Sequence, residues 1–231
     1  MRISPALFGA LSLLLNVLPG AAHATDWPTS GWPESTPAEQ GLDAVSLNEI
    51  TVAAGQKNRN ALQYHFGNRE GLLQAIIDRH ASRVHLLRKT YLEQADARKG
   101  SSASVAARGL VMPLAQYIAD TPEAVFYVKI LSQLAALNHP IVNPATRSGL
   151  SFQNEEALAE VMRSAVAHLP TEEAQRRLFL TLGMTFHGLA DACRAAEAAD
   201  SSATLRDRGA MLELVCLAVE TLLAAPSLES A

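Results

Sequence analysis

The chain has 231 residues, 48% hydrophobic and 18% charged, with only two cysteines. That balance excludes a disordered, fibrous or disulfide-framed chain and leaves enough apolar material for a real core. The net charge of −4 is uneven, with nine basic and six acidic residues at positions 41–99 against nine and fourteen from 100 onward, so one part alone suits a polyanion and non-specific coating of nucleic acid is excluded.

Met1-Arg2 precedes an apolar run over residues 6–18, Pro19-Gly20 breaks it, and Ala22-His23-Ala24 places small residues two apart. This is the order of a secretory signal, and residues 1–25 read as one; a buried amphipathic helix is the other reading, and the run is short for a membrane anchor. Residues 26–40 form a Pro-rich linker. Its DWPTSGWPESTP stretch holds three prolines, each fixing φ and disfavouring helix at the residue before it. The stretch resembles the start of secreted beta-lactamase-related serine hydrolases. That resemblance implies a serine nucleophile with a lysine base three positions on, and no serine here has one. No enzymatic activity is expected.

After Gly41 the periodicity is helical. Ser46-Leu47-Asn48-Glu49 is a capping box, Leu47, Ile50 and Ala54 share a face, and Gly55 stops the helix. A short helix is expected over 59–66. Gly67-Asn68 interrupts, and Asn68 with Glu70 caps a longer helix carrying Leu72, Leu73, Ile76, Ile77, His80, Val84 and Leu87. Helices follow at 103–119 and 122–137, then a loop at Asn138-His139-Pro140 and Asn143-Pro144, then an amphipathic stretch over 147–169. Leu169-Pro170-Thr171-Glu172 ends one helix and caps the next, on which Leu178, Leu182, Phe186, Leu189 and Cys193 recur. Leu212, Val215, Val219 and Leu222 mark a last helix. No alternating run is long enough for a strand, so the expected class is all-α.

A capped helix, a turn at glycine and a short polar helix make residues 46–66 a helix-turn-helix candidate. The second helix must enter a major groove about 12 Å wide and offer polar groups to base edges. Lys57, Asn58, Arg59, Asn60, Gln63, Tyr64 and His65 supply such groups, with Ala61, Leu62 and Phe66 as the inward face.

The string EQGLDAVSLNEITVAAGQKNRNALQYHFGNREGLLQAIIDRHASRV, residues 39–84, resembles the DNA-binding region of TetR-family transcriptional regulators. The resemblance extends more loosely to about residue 224. It implies a head at 41–85 and a helical effector-binding and dimerisation domain at 86–231. Carried over by position, Ser46 and Thr51 lie on the backbone-crossing helix, with Ser46 on a phosphate. Arg59, Asn60 and Gln63 face bases, Gln63 replacing a frequent phosphate-binding tyrosine. Tyr64 and His65 touch the backbone, and Arg69 is the basic residue opening the next helix. Each bidentate base contact is worth about 1–3 kcal/mol of discrimination.

The resemblance further implies a homodimer through two C-terminal helices, at 171–198 and 203–225, that grips a double-stranded palindromic operator. A small-molecule effector among the central helices releases the DNA, with Phe126, Met162, Phe179, Met184 and His187 as candidate pocket residues. The expected role is a repressor in the cytoplasm, in conflict with the signal-like start. No cofactor, metal site or membrane partner is expected: His80 and His85 are five apart and do not align on a helix.

Other assignments stay open at this point. Arg79, Arg83, Arg88 and Lys89 read as a solvated face, Tyr64 could pack in the core, and Cys193 and Cys216 read as helix-packing residues. The family's first helix, which closes a core around Leu47, Ile50, Leu62, Phe66 and Leu72, is replaced here by the Pro-rich linker, and residues 6–18 are a candidate substitute. The alternative to a DNA-binding regulator is an exported or defective chimeric helical dimer that does not bind DNA.

Overall fold

A computed structural model describes residues 61–96, 100–122, 124–136 and 156–228. The signal-like segment, the linker, the capping box at Ser46 and the loop at 138–144 lie outside the described residues. Within them the chain is all-α, with eight helices and no strand: α1 (Ala61–Phe66), α2 (Arg69–Asp96), α3 (Ser102–Asp120), α4 (Ala124–Ala136), α5 (Glu156–Ala165), α6 (Thr171–Glu197), α7 (Ala203–Arg206) and α8 (Arg208–Ala224). No described helix is long and apolar enough to cross a membrane.

The turn from α1 to α2 is built from three residues. Gly67 takes φ +74°, a left-handed conformation that costs glycine little, and its N–H closes α1 on the Gln63 carbonyl at 2.9 Å. Asn68 then caps α2, its Oδ1 accepting from the Gly71 N–H at 2.9 Å, with Glu70 in the first turn where a carboxylate favours the helix dipole. Gly71 is required by close approach, because a Cβ there would stand 1.9 Å from the Phe66 carbonyl oxygen. The sequence expectation of a break at Gly67-Asn68 is met.

α2 runs for 28 residues, about 42 Å at 1.5 Å per residue, and passes unbroken through the domain boundary drawn at residue 85. Leu72, Leu73, Ile76, Ile77, His80 and Val84 are its buried side, packed chiefly on α3. α3 is the centre of the fold, touching α2, α5 and α8. It is capped by Ser101, whose hydroxyl accepts from the Ser104 N–H at 3.1 Å. Ala103, Ala106, Ala107 and Gly109 line its buried surface, small enough for neighbouring backbones to come close.

α6 and α8 pack antiparallel: Arg177 near the start of α6 reaches carbonyls at the end of α8, while Gly188 faces Val215, whose Cγ2 would lie 2.6 Å from an added Cβ. The buried Arg177 guanidinium donates to the Leu222 carbonyl at 3.0 Å and the Pro226 carbonyl at 2.6 Å, satisfying acceptors that a helix end leaves open. It also pairs with Glu173 at 2.5 Å. The Ser227 hydroxyl first, then Arg177 and the Leu228 N–H, hold the Glu173 carboxyl below its usual range.

Two boundaries differ from expectation. The last segment, expected as one helix over 203–225, is broken at Asp207, whose side chain caps α8 by accepting from the Ala210 N–H at 3.0 Å. The described part of the 147–169 segment is helical only from Glu156 to Ala165.

Candidate functional site

α1 is short, and two of its side chains face outward. Gln63 is exposed, and Tyr64 is 85% exposed, which excludes the core-packing alternative for that tyrosine. Phe66 packs against the hydrophobic core from the other side. His65 lies in α1 and Arg69 opens α2. Ser46, Thr51, Lys57, Asn58, Arg59 and Asn60 lie outside the described residues. A phenol and a carboxamide exposed on a short helix can donate to phosphate oxygens and pair with base edges.

Of the four cations read as a solvated face on α2, Arg83 and Lys89 are exposed, but Arg88 requires correction. It is 5% exposed, and its Nε donates to the Gly109 carbonyl of α3 at 3.1 Å. The reason is local. Pro113 stands inside α3 and has no N–H to give the carbonyl four residues earlier, so Gly109 takes its donor from α2. Sequence reasoning missed this contact, although a proline in mid-helix signals a carbonyl in need of an outside partner.

His80 is fully buried where α2, α3 and α4 meet. Its Nδ1 is hydrogen bonded to the Tyr117 hydroxyl at 2.7 Å, its ring stacks on Tyr127 with centroids 4.7 Å apart, and its Nε2 has no partner. Burial, aided by the nearby Arg79 charge, lowers its pKa to about 4, so the ring is neutral at ordinary pH.

The five candidate pocket residues are spread over three helices, α4, α5 and α6. Met162 is buried on α5 and Phe126 half-buried on α4. His187 is hydrogen bonded through Nδ1 to Ser132 Oγ at 2.7 Å, and no carboxylate joins this pair among the described residues. Phe179 and Met184 need correction: they are 42% and 38% exposed. Thr181, Thr185 and Leu189 take the inward side of α6, and at 100° per residue Phe179 and Met184 are turned about 100° or more from its centre. With Leu180 of α6 and Leu214 and Leu217 of α8, also exposed, they form an apolar face across the two C-terminal helices.

Cys193 and Cys216 are buried and free, and burial raises both thiols, Cys216 to about 11; both are packing residues. Among the described residues no group of three His, Cys, Asp or Glu side chains could hold a metal ion.

A half-open cleft of about 480 Å³ lies between α2 and α5, lined by His85, Arg88, Lys89, Leu92 and Glu93 on one wall and residues 156–158 on the other. None of the five sequence-derived pocket residues lines it. Comparison with protein-family models, curated proteins and solved structures finds no match for this chain.

Proposed function

We propose that the chain is a TetR-type, effector-controlled transcriptional repressor that binds double-stranded DNA as a homodimer. The observation that carries this reading is α1. It is a six-residue helix whose Gln63 and Tyr64 point to solvent while Gly67, Asn68 and Gly71 pin it to α2. The motif over residues 39–84 supports the same reading. An exposed aromatic and amide on a fixed short helix suit groove and phosphate contacts better than they suit a helix that only packs.

The apolar face of α6 and α8 supplies the second requirement. Two copies joined there carry two α1 helices, and a palindromic operator offers half-sites about 34 Å apart. α2 supplies the third, since one continuous helix joins α1 to the helical body. An effector that favours one tilt of α2 therefore shifts the population of DNA-competent heads.

The test is fluorescence anisotropy of the full chain against its own upstream DNA at two salt concentrations. Specific binding weakens as salt rises, through counterion release. Tyr64→Ala weakens binding to every sequence, whereas Gln63→Ala changes which sequence is preferred. Binding that is indifferent to both substitutions would exclude α1 as the reading head.

A further inference from the structure

We infer that the cleft between α2 and α5 binds a small zwitterion of dipeptide type, with its ammonium and carboxylate about 6 Å apart. The cleft's volume of about 480 Å³ lies within the range of small-molecule sites, roughly 300–1,000 Å³. Its lining also has an apolar part, Leu92 on one wall and Ala157 and Leu158 on the other.

The charges on its α2 wall are segregated by sign. Arg88 and Lys89 lie nearer α1, and Glu93 follows one turn beyond Lys89. One turn separates Lys89 from Glu93 by about 6 Å along the axis. Among the described residues Lys89, Glu93 and Glu156 enter no salt bridge, so the Lys89 ammonium is not neutralised by contact with either carboxylate. Arg88 cannot swing away from the cationic end, because its Nε is held by the Gly109 carbonyl.

This pattern selects among ligands. A simple carboxylate meets Lys89 but is opposed by Glu93 and Glu156. A simple amine meets the reverse, and a neutral apolar molecule desolvates charged groups without replacing their water. A molecule carrying both charges, separated by an apolar body, satisfies both ends at once. α2 and α5 each pack on α3, and a ligand spanning the cleft ties one to the other and so restrains the helix that carries α1. That regulatory use rests on the function proposed above; the binding itself does not.

The test is calorimetric titration of the full chain with leucyl-leucine, with N-acetyl-leucyl-leucine, which lacks the ammonium, and with leucyl-leucinamide, which lacks the carboxylate. Leucyl-leucine binds, and each blocked form binds about tenfold more weakly, as expected for loss of a charge-assisted contact. Lys89→Gln removes the difference between leucyl-leucine and its amide, and Glu93→Gln removes the difference from the acetylated form. Both side chains are exposed, so neither variant threatens the fold. No heat with any of the three compounds, or equal affinity for all three, overturns the assignment. Calorimetry needs no DNA, so failure to bind an operator would sink the repressor reading and leave the cleft result standing. Leucyl-leucine binding that leaves DNA anisotropy unchanged would instead sink the regulatory use.

Discussion

Pro113 leaves the Gly109 carbonyl without its helical donor, and Arg88 of the neighbouring helix supplies one at 3.1 Å. The exchange is possible because residue 109 has no side chain: a Cβ there would stand 2.8 Å from Leu92 Cδ2. A missing hydrogen, a missing methyl and a buried guanidinium together lock α2 to α3. That lock lies at the wall of the cleft and on the helix that bears α1.

The lock predicts a specific non-additivity. Arg88→Met removes a hydrogen bond from a charged donor and leaves a buried carbonyl open, a loss of about 2 kcal/mol. Pro113→Ala restores the amide hydrogen that Gly109 lacks. In that background the cost of Arg88→Met falls by about 1 kcal/mol, measured by denaturant unfolding of all four proteins. Equal costs in both backgrounds would mean that the two residues are not linked through Gly109.

Gly67 and Gly71 differ in kind. Gly67 needs its positive φ, and Gly67→Ala costs about 1–2 kcal/mol. Gly71→Ala drives a methyl to within 1.9 Å of the Phe66 carbonyl oxygen, which only opening of the turn relieves. Hydrogen exchange should show protection lost at Leu72 and Leu73 in Gly71→Ala while residues 106–118 of α3 keep theirs. DNA affinity should fall with it. Unchanged exchange at Leu72 would refute the steric account.

Much of this fold was legible because single-helix periodicity is a local property. Leu72, Leu73, Ile76, Ile77, His80 and Val84 are spaced for one buried face, and that face is buried; Gly67-Asn68 carried its own turn chemistry. The capping role of Asp207 was equally local and was overlooked, which merged α7 with α8. Arg88 was different, since nothing within α2 tells a solvated arginine from one aimed at a carbonyl of α3. The exposure of Phe179 and Met184 was hidden for a related reason: both are apolar at helical spacing, but which side of α6 meets α4 and α8 is decided only by packing. The cleft was invisible in sequence because its two walls are more than sixty residues apart.

His80 makes the fold sensitive to acid. Its folded pKa of about 4 lies below the ordinary value of 6.5, so between those values the unfolded chain binds the extra proton. Stability is therefore full above pH 6.5 and declines as pH falls toward 4, by about 3 kcal/mol in all. His80→Phe keeps a ring against Tyr127 but cannot titrate, and its stability should be flat over that window. Glu173, with a lowered folded pKa, contributes in both proteins, and its share is lost only below about pH 4.5. A wild-type urea midpoint that does not move between pH 6.5 and 5 would contradict the assignment to His80.

The exposed apolar face of α6 and α8 gives the last prediction. Leu214 and Leu217 are 60% and 58% exposed, so within one chain neither contributes much to folding. In a two-fold dimer each residue is counted twice, and burying a leucine is worth about 1.5–3 kcal/mol. Leu217→Asp should therefore weaken self-association roughly a hundredfold or more while leaving the thermal transition of the dilute monomer in place. Val219, two positions on and fully buried, provides the contrast: Val219→Asp should unfold the chain at any concentration. Light scattering across a dilution series separates these outcomes. A Leu217→Asp protein that associates as strongly as wild type would place the contact between copies elsewhere, and an operator-binding dimer built on α6 and α8 would fall with it.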